Sequence, residues 1–283
     1  MEQNLIIDRE KCIKCKTCER VCAPFVFRFD NEGYPIEKYP QVCSFCGHCI
    51  SACPSSAIQY TSYSSGFEGA EELDPERPSY EQLSNLMSKR RSIRRFKDDE
   101  VPDELINKIC ENLKFTLTGH NAQSLEFTVI KDRDLIYSIS DKIGSRFKIA
   151  QILIPFLPKK LKGNIRRMIK RFEKSKTDHT EDPFLRYPPT LLIIHAKKTI
   201  EKFLKIADGG IASYNVILTA ESLGLGTCWI GFHTIISNLF PAVKKMSKIP
   251  RNHKILASIA LGYPKYEYKR KCVRDPLKIK IYD

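Results

Sequence analysis

The chain has 283 residues, 42% of them hydrophobic, with 47 Lys and Arg against 33 Asp and Glu and a formal charge of +14. It is long enough for a small domain beside a larger one, and its longest apolar run, Ile149 to Leu157, is far short of the ~20 residues a membrane helix needs. Met1-Glu2-Gln3-Asn4 lacks the charged-then-apolar layout of a signal peptide, so a cytoplasmic protein is expected.

The first segment is dominated by cysteine. Of eleven cysteines, only Cys110, Cys228 and Cys272 lie outside residues 12 to 53. The other eight form a duplicated pattern: Cys12-x2-Cys15-x2-Cys18-x3-Cys22 returns as Cys43-x2-Cys46-x2-Cys49-x3-Cys53-Pro54. A [4Fe-4S] cluster needs four thiolates at the corners of a cube. Two-residue gaps let one tight loop supply three, while the fourth serves the other cluster. Cys12, Cys15, Cys18 and Cys53 are therefore assigned to one cluster, and Cys43, Cys46, Cys49 and Cys22 to a second. Zinc ribbons seldom use a third cysteine at this spacing, and a secreted disulfide framework has no need of the repeat. His48 is read as solvent-facing or supporting, since thiolates already complete each site.

Over about the first sixty residues the chain resembles a bacterial two-cluster ferredoxin. The likeness includes the apolar residues after each motif, Phe25 to Phe29 and Ala57 to Tyr60. One departure is Cys22-Ala23-Pro24, where the family has proline directly after the cysteine. Residues 1–62 carry as many acidic as basic side chains, seven of each, so the whole +14 excess lies further along. Eight thiolates and two clusters would make this domain negative beside a positive one, a favourable pairing for electron transfer.

Residues 63–79 are expected to be a linker, small and polar and broken by Gly66, Gly69, Pro75 and Pro78. A second domain, 80–283, opens on a capping-box signal: Ser79, Gln82 three residues later, then Leu83, Leu86 and Met87 at helical spacing. This helix delivers Arg90-Arg91-Ser92-Ile93-Arg94-Arg95-Phe96. Guanidinium forks and a hydroxyl suit a dianionic phosphate; the alternative is a solvated basic helix end.

Val101-Pro102-Asp103-Glu104 opens another helix, with Leu105, Ile106, Ile109 and Leu113 on one face. A polar loop spans 118–124, and strands are expected at Glu126 to Ile130 and Leu191 to His195. Asp208 to Leu223 has the spacing of a core helix, Asp208 its cap and Gly224 its stop. Short strands are expected at Cys228 to Gly231 and Ile255 to Leu261.

Taken in order, Arg90-Arg91-Ser92-x-Arg94-x-Phe96, Asn121-x-Gln123, Asp208-Gly209-Gly210, Gly224-Leu225-Gly226-Thr227-Cys228-Trp229-Ile230-Gly231 and Leu261-Gly262-Tyr263-Pro264 resemble the FMN-dependent nitroreductase family over residues 80 to 283. The resemblance implies an α+β fold, with a central, mostly antiparallel sheet flanked by helices, and an intertwined homodimer binding FMN at its interface. It assigns Arg90, Arg91, Ser92 and Arg94 to the FMN phosphate and ribityl chain. Asn121 and Gln123 go to the ribityl chain or pyrimidine edge. Cys228 and Trp229 lead into the flavin-lining turn, with the backbone of Ile230 and Gly231 near N5. Arg270, Lys271 and Arg274 are alternatives for completing the phosphate site. Ser124 stands where the family has proline, and Cys228 is read as a small buried residue, not a redox thiol.

Together the modules imply an oxidoreductase that passes electrons from two [4Fe-4S] clusters to FMN and on to a small oxidised substrate: a nitroaromatic, a quinone or an activated double bond. No protein acid or base is required. The alternative is a module relaying electrons to a protein partner. Gly224-x-Gly226 lacks the third glycine of a dinucleotide fingerprint, but the family binds NAD(P)H without one, so the donor is NAD(P)H or an external ferredoxin.

One stretch falls outside the resemblance. Residues 158–176 hold nine basic side chains and one acid, with Leu161, Ile165, Met168, Ile169 and Phe172 on one helical face. This region, about 149–180, is read as a helical insertion lidding the substrate pocket. A docking patch for an acidic electron carrier and membrane-surface contact rank after it; nucleic acid ranks last, for want of a base-reading motif.

Overall fold

The computed structural model describes residues 4–61, 72–149, 163, 166–167, 169–174, 182–199 and 202–282. They form two compact units: Met1–Arg77 with His120–Ala122, and Pro78–Gly119 with Gln123–Asp283. Most of the expected linker and of the basic insertion lies outside the described residues.

The first unit is built from very short elements. Strand β1 (Leu5–Ile7) pairs antiparallel with β4 (Ile58–Tyr60), and β2 (Phe27–Phe29) with β3 (Pro35–Glu37). Helices α1 (Thr17–Val21) and α2 (His48–Ser51) each follow a left-handed residue, Lys16 and Gly47. The core is Leu5, Val26, Phe27, Ile50 and Ile58 with Cys18 and Cys22.

The second unit is an antiparallel four-stranded sheet, with order β5 (Leu125–Ile130), β6 (Thr190–Lys197), β8 (His253–Gly262), β7 (Gly226–Trp229). Strand β6 reads as an uninterrupted apolar run because both its faces are covered. Leu191 and Ile193 join a cluster with Ile136, Ile139 and Ile143 of α5 (Arg133–Ile149). Leu192 and Ile194 join another with Ile106 and Ile109 of α4 (Asp103–Leu113) and Val216 and Ala220 of α6 (Lys202–Ser222). The α+β class and mostly antiparallel sheet are as expected.

Helix α3 (Tyr80–Lys89) has the expected cap: Gln82 N–H donates to Ser79 Oγ at 3.2 Å, and Ser79 N–H to Gln82 Oε1 at 2.8 Å. Gly224 ends the core helix with φ +75°. Other expectations need correction. Helix α6 begins at Lys202, so Asp208 sits inside it and cannot cap it. Its Oδ1 instead accepts from Gly119 N–H at 2.9 Å, anchoring the polar loop. The Cys228 strand lies earlier, at Gly226–Trp229, because Gly231 already starts α7 (Gly231–Leu239), which α8 (Pro241–Met246) follows. Helices α5, α7 and α8 had no sequence expectation. Within the basic insertion, residues 169–174 are helical, with Ile169 and Phe172 buried. The Phe172 ring stands 5.4 Å from Phe184, edge to face. Leu161, Ile165 and Met168 lie outside the described residues.

Candidate functional site

The eight clustered cysteines gather in two groups of four. Cys12, Cys15, Cys18 and Cys53 line one small cavity, together with Phe29 and Ile58. Cys22, Cys43, Cys46 and Cys49 line a second small cavity, with Val26 and Tyr60. The backbone repeats with the sequence. Lys14 and Phe45, Lys16 and Gly47, and Phe25 and Ser56 all have positive φ, each pair at the offset separating Cys12 from Cys43. Left-handed turns let successive amides face inward toward an anionic centre. Two amides already meet sulfur at matched positions: Val26 N–H donates to Cys22 Sγ at 3.4 Å and Ala57 N–H to Cys53 Sγ at 3.3 Å. Such bonds tune cluster potential.

Thiol acidity varies with position. Burial, reinforced by neighbouring cysteines, raises Cys18 to about 11 and Cys49 to about 12. The exposed Cys15 is lowered, chiefly by its contact with the Thr17 hydroxyl. Crowding thiols in apolar surroundings disfavours their thiolates unless a cation neutralises them. These eight donors therefore fit iron–sulfur clusters.

In the second unit, the arginine stretch extends the sheet at the β7 edge. Ser92 bridges in parallel to Thr227, Ile93 N–H donates to Thr227 O at 2.8 Å, and Phe96 bridges to Pro264. Gly226 is required here, because a Cβ would collide with the Ile93 side chain. Arg90 and Arg91 thereby line a cavity of about 430 Å³ with Tyr80, Met87, Lys271 and Arg274. No acidic side chain lines it among the described residues. Arg91 is tied to backbone, its Nη1 donating to Ser88 O at 2.9 Å and its Nη2 to Arg270 O at 2.6 Å. Arg90 Nε is buried without a hydrogen-bond partner. Four basic side chains with no acid among the described lining residues, one of them Arg90 with a buried nitrogen lacking a partner, fit a phosphate monoester such as that of FMN.

The remaining predicted residues are spread out. Arg94 Nη1 donates to Ser92 O at 3.4 Å. Cys228 is buried, and burial raises its thiol despite Arg94 and Arg186 nearby. Trp229 is half-exposed. Ile230 N–H donates to Ser258 O at 2.7 Å, and the space beside Gly231 is open. Gln123, at φ +41°, lines a separate cavity of about 270 Å³ with Thr118 and Phe127. Asn121 groups with the first unit, where its Nδ2 donates to the carbonyls of Ser44 at 3.1 Å and Phe45 at 2.9 Å. Ser124 Oγ accepts from Lys205 Nζ, a bond proline cannot make.

Sequence reasoning missed the support under the Ile230 turn. His233 is fully buried between two hydroxyls, with Nδ1 2.7 Å from Ser258 Oγ and Nε2 2.8 Å from Ser247 Oγ. Ser247 gives its own proton to Val243 O, so Nε2–H must donate and Nδ1 accept. The pattern Ile230-x-x-His233 was the available signal.

An antiparallel sheet with a basic cavity at its edge, joined in one chain to a duplicated cysteine unit, defines a flavin oxidoreductase with its own iron–sulfur module. The nitroreductase family model matches residues 87–263 and a 4Fe-4S dicluster domain model residues 4–64; the chain belongs to the nitroreductase family and carries a 4Fe-4S ferredoxin domain. A Methanothermobacter thermautotrophicus protein whose name places it among NADH dehydrogenase/NAD(P)H nitroreductases is 25% identical over 194 residues, 68% of this chain and 82% of that protein. Iodotyrosine deiodinase 1 from Sus scrofa is 24% identical over 193 residues, 66% of this chain and 63% of that one. A Bacteroides fragilis nitroreductase with bound FMN superimposes with a TM-score of 0.57 at 21% identity, covering 71% of this chain and 99% of its own. No described helix is long and apolar enough to cross a membrane.

Proposed function

We propose that the protein transfers electrons from a ferredoxin-type donor or NAD(P)H, by way of two [4Fe-4S] clusters and FMN, to a small oxidised substrate such as a nitroaromatic, a quinone or an activated double bond. The observation that carries this reading is the cavity lined by Arg90, Arg91, Lys271 and Arg274 with no acidic side chain among its described lining residues, in a chain that also gathers eight cysteines into two cavities. Clusters exchange single electrons and flavin one or two, so the bound groups supply the redox chemistry and the protein supplies position and potential.

In this reading Cys12, Cys15, Cys18 and Cys53 hold one cluster, and Cys22, Cys43, Cys46 and Cys49 the other. Arg90, Lys271 and Arg274 bind the phosphate directly. Arg91, held by the carbonyl of Arg270, braces the wall, and Ser92 and Arg94 lie along the ribityl chain. Asn121 and Gln123 serve the ribityl chain or pyrimidine edge, and Cys228 to Gly231 the ring. A homodimer is part of the proposal: Phe203 and Ile206 of α6 are exposed, as are the alternating Leu277, Ile279 and Ile281 near the C-terminus, a pattern suited to cover by a second chain. Eight cysteines committed to iron–sulfur clusters fit a reducing, cytoplasmic setting.

Anaerobic purification with iron, sulfide and flavin quantified together tests the cofactor set. The expected content is about eight iron and eight sulfide with one FMN per chain; colourless protein after oxygen-free reconstitution refutes it. Multiple turnover with small oxidants separates this reading from relay to a protein acceptor, in which turnover requires that partner.

A further inference from the structure

Away from the cofactor residues, three strands deliver three ligand-type side chains to one place. Glu126 of β5 is the register partner of His195 of β6. His253 opens β8, whose pairing with β6 slips between Ile194 and His195. Irregularities of this kind re-aim side chains. His195 Nδ1 lies 2.9 Å from His253 Nδ1, and Glu126 Oε1 lies 3.6 Å from His253 Nε2. One potential ligand atom from each residue falls within 4.8 Å of the others. Both histidines are buried, with the His253 side chain 8% exposed, while the Glu126 side chain is 57% exposed, so the carboxylate marks the way in from solvent.

We infer that Glu126, His195 and His253 bind one transition-metal dication of the zinc, nickel or cobalt type. Thr128 Oγ1 stands 2.9 Å from His195 Nε2, which occupies that nitrogen and leaves Nδ1 for the metal, as a supporting hydrogen bond does in established histidine sites. Strand alternation turns Ala196 and Lys254 to the face opposite His195 and His253, whereas Lys197, the register partner of His253, starts on the same face and lines a cavity with Lys198, Lys205, Lys254 and Leu256. The Lys244 ammonium is held by the carbonyls of Arg251 and His253 at 2.8 and 2.9 Å.

With metal–ligand distances near 2.05 Å, tetrahedral ligand atoms stand about 3.3 Å apart. The imidazoles need to open by only about 0.4 Å to reach that separation, and the exposed carboxylate rotates inward. Two nitrogens and one oxygen leave a fourth position for water, a donor set that prefers these ions to magnesium or calcium.

The test uses the full-length holoprotein with Ni²⁺ as the calorimetric probe. The wild type is expected to bind one equivalent more than His195→Gln or His253→Gln, and Thr128→Val is expected to weaken that site roughly tenfold or more. In crystals soaked with zinc, an anomalous peak is expected about 2.0–2.1 Å from His195 Nδ1. Isotherms of the histidine variants that superimpose on wild type, or zinc at cysteines alone with the imidazole pair unmoved, overturn the site. If the histidine variants fail to fold, Glu126→Gln and Thr128→Val decide it: unchanged nickel binding in both rejects the inference.

Discussion

The cysteine unit has a core of seven buried residues, two of them cysteines, and four strands of three residues each. The flavin unit has clusters of eighteen and fourteen buried residues on the two faces of a sheet whose central strands run eight and ten residues. A unit as small as the first rarely stabilises itself by burial alone. Its fold is therefore expected to depend on iron–sulfur clusters held by its cysteines, whereas the second unit has a packed cluster on each face of its sheet.

The largest effect expected from this contrast is selective unfolding. Anaerobic removal of iron by a chelator should strip hydrogen-exchange protection from residues 4–61 while β6 and β8 stay protected. Protection retained in the cysteine unit without iron would erase the distinction between the units.

Next comes a pH effect confined to the flavin unit. Burial holds the His233 imidazole down at about 4, against an ordinary value near 6.5. The unfolded chain takes up this proton as pH falls through about 6.5, and the folded chain only near 4, so stability contributed by His233 is full above that window and declines across it. The loss amounts to about 3 kcal/mol by pH 4. Urea unfolding followed by Trp229, the single tryptophan, should show this slope in wild type and a flatter one in His233→Gln. Equal slopes would mean the imidazole is not held neutral.

Cofactor binding should respond more modestly. Removing the Arg90 guanidinium deletes a charge-assisted bond worth about 1.5–3 kcal/mol, so Arg90→Ala should weaken FMN binding roughly 10- to 100-fold by fluorescence titration without lowering iron content. Unaltered FMN affinity would remove Arg90 from the phosphate site. The smallest change belongs to the exposed cap: Ser79→Ala should cost about 1 kcal/mol in the flavin unit and leave cofactor content unaltered. A shift in the cysteine unit's exchange instead would contradict that local role.

The same contrast explains what was legible in the sequence. Two-residue gaps group three thiols at each cavity locally, while the crossing of Cys22 and Cys53 to the other triplet is legible only from the known exchange of fourth ligands in two-cluster motifs. The Ser79 capping box and the apolar face of α4 are equally local. Asp208 was misread because a helix cap and a helix-borne acceptor for a distant loop amide have the same composition; only the Gly119 contact distinguishes them. The basic character of the Arg90 stretch was legible, but its pairing with Thr227 and the arrival of Lys271 and Arg274 beside it depend on contacts far apart in sequence. The His195–His253 pair was invisible because the slip in β6–β8 pairing aligns the two rings.

The most direct test of the central claim compares flavin reduction in wild type and Cys15→Ser. Cys15 is exposed and lines the first cysteine cavity, so serine there should disable one cluster without disturbing FMN binding. The account predicts that flavin reduction by a one-electron photochemical donor collapses in the variant while FMN content stays at wild-type level. Identical reduction kinetics in the two proteins would contradict it.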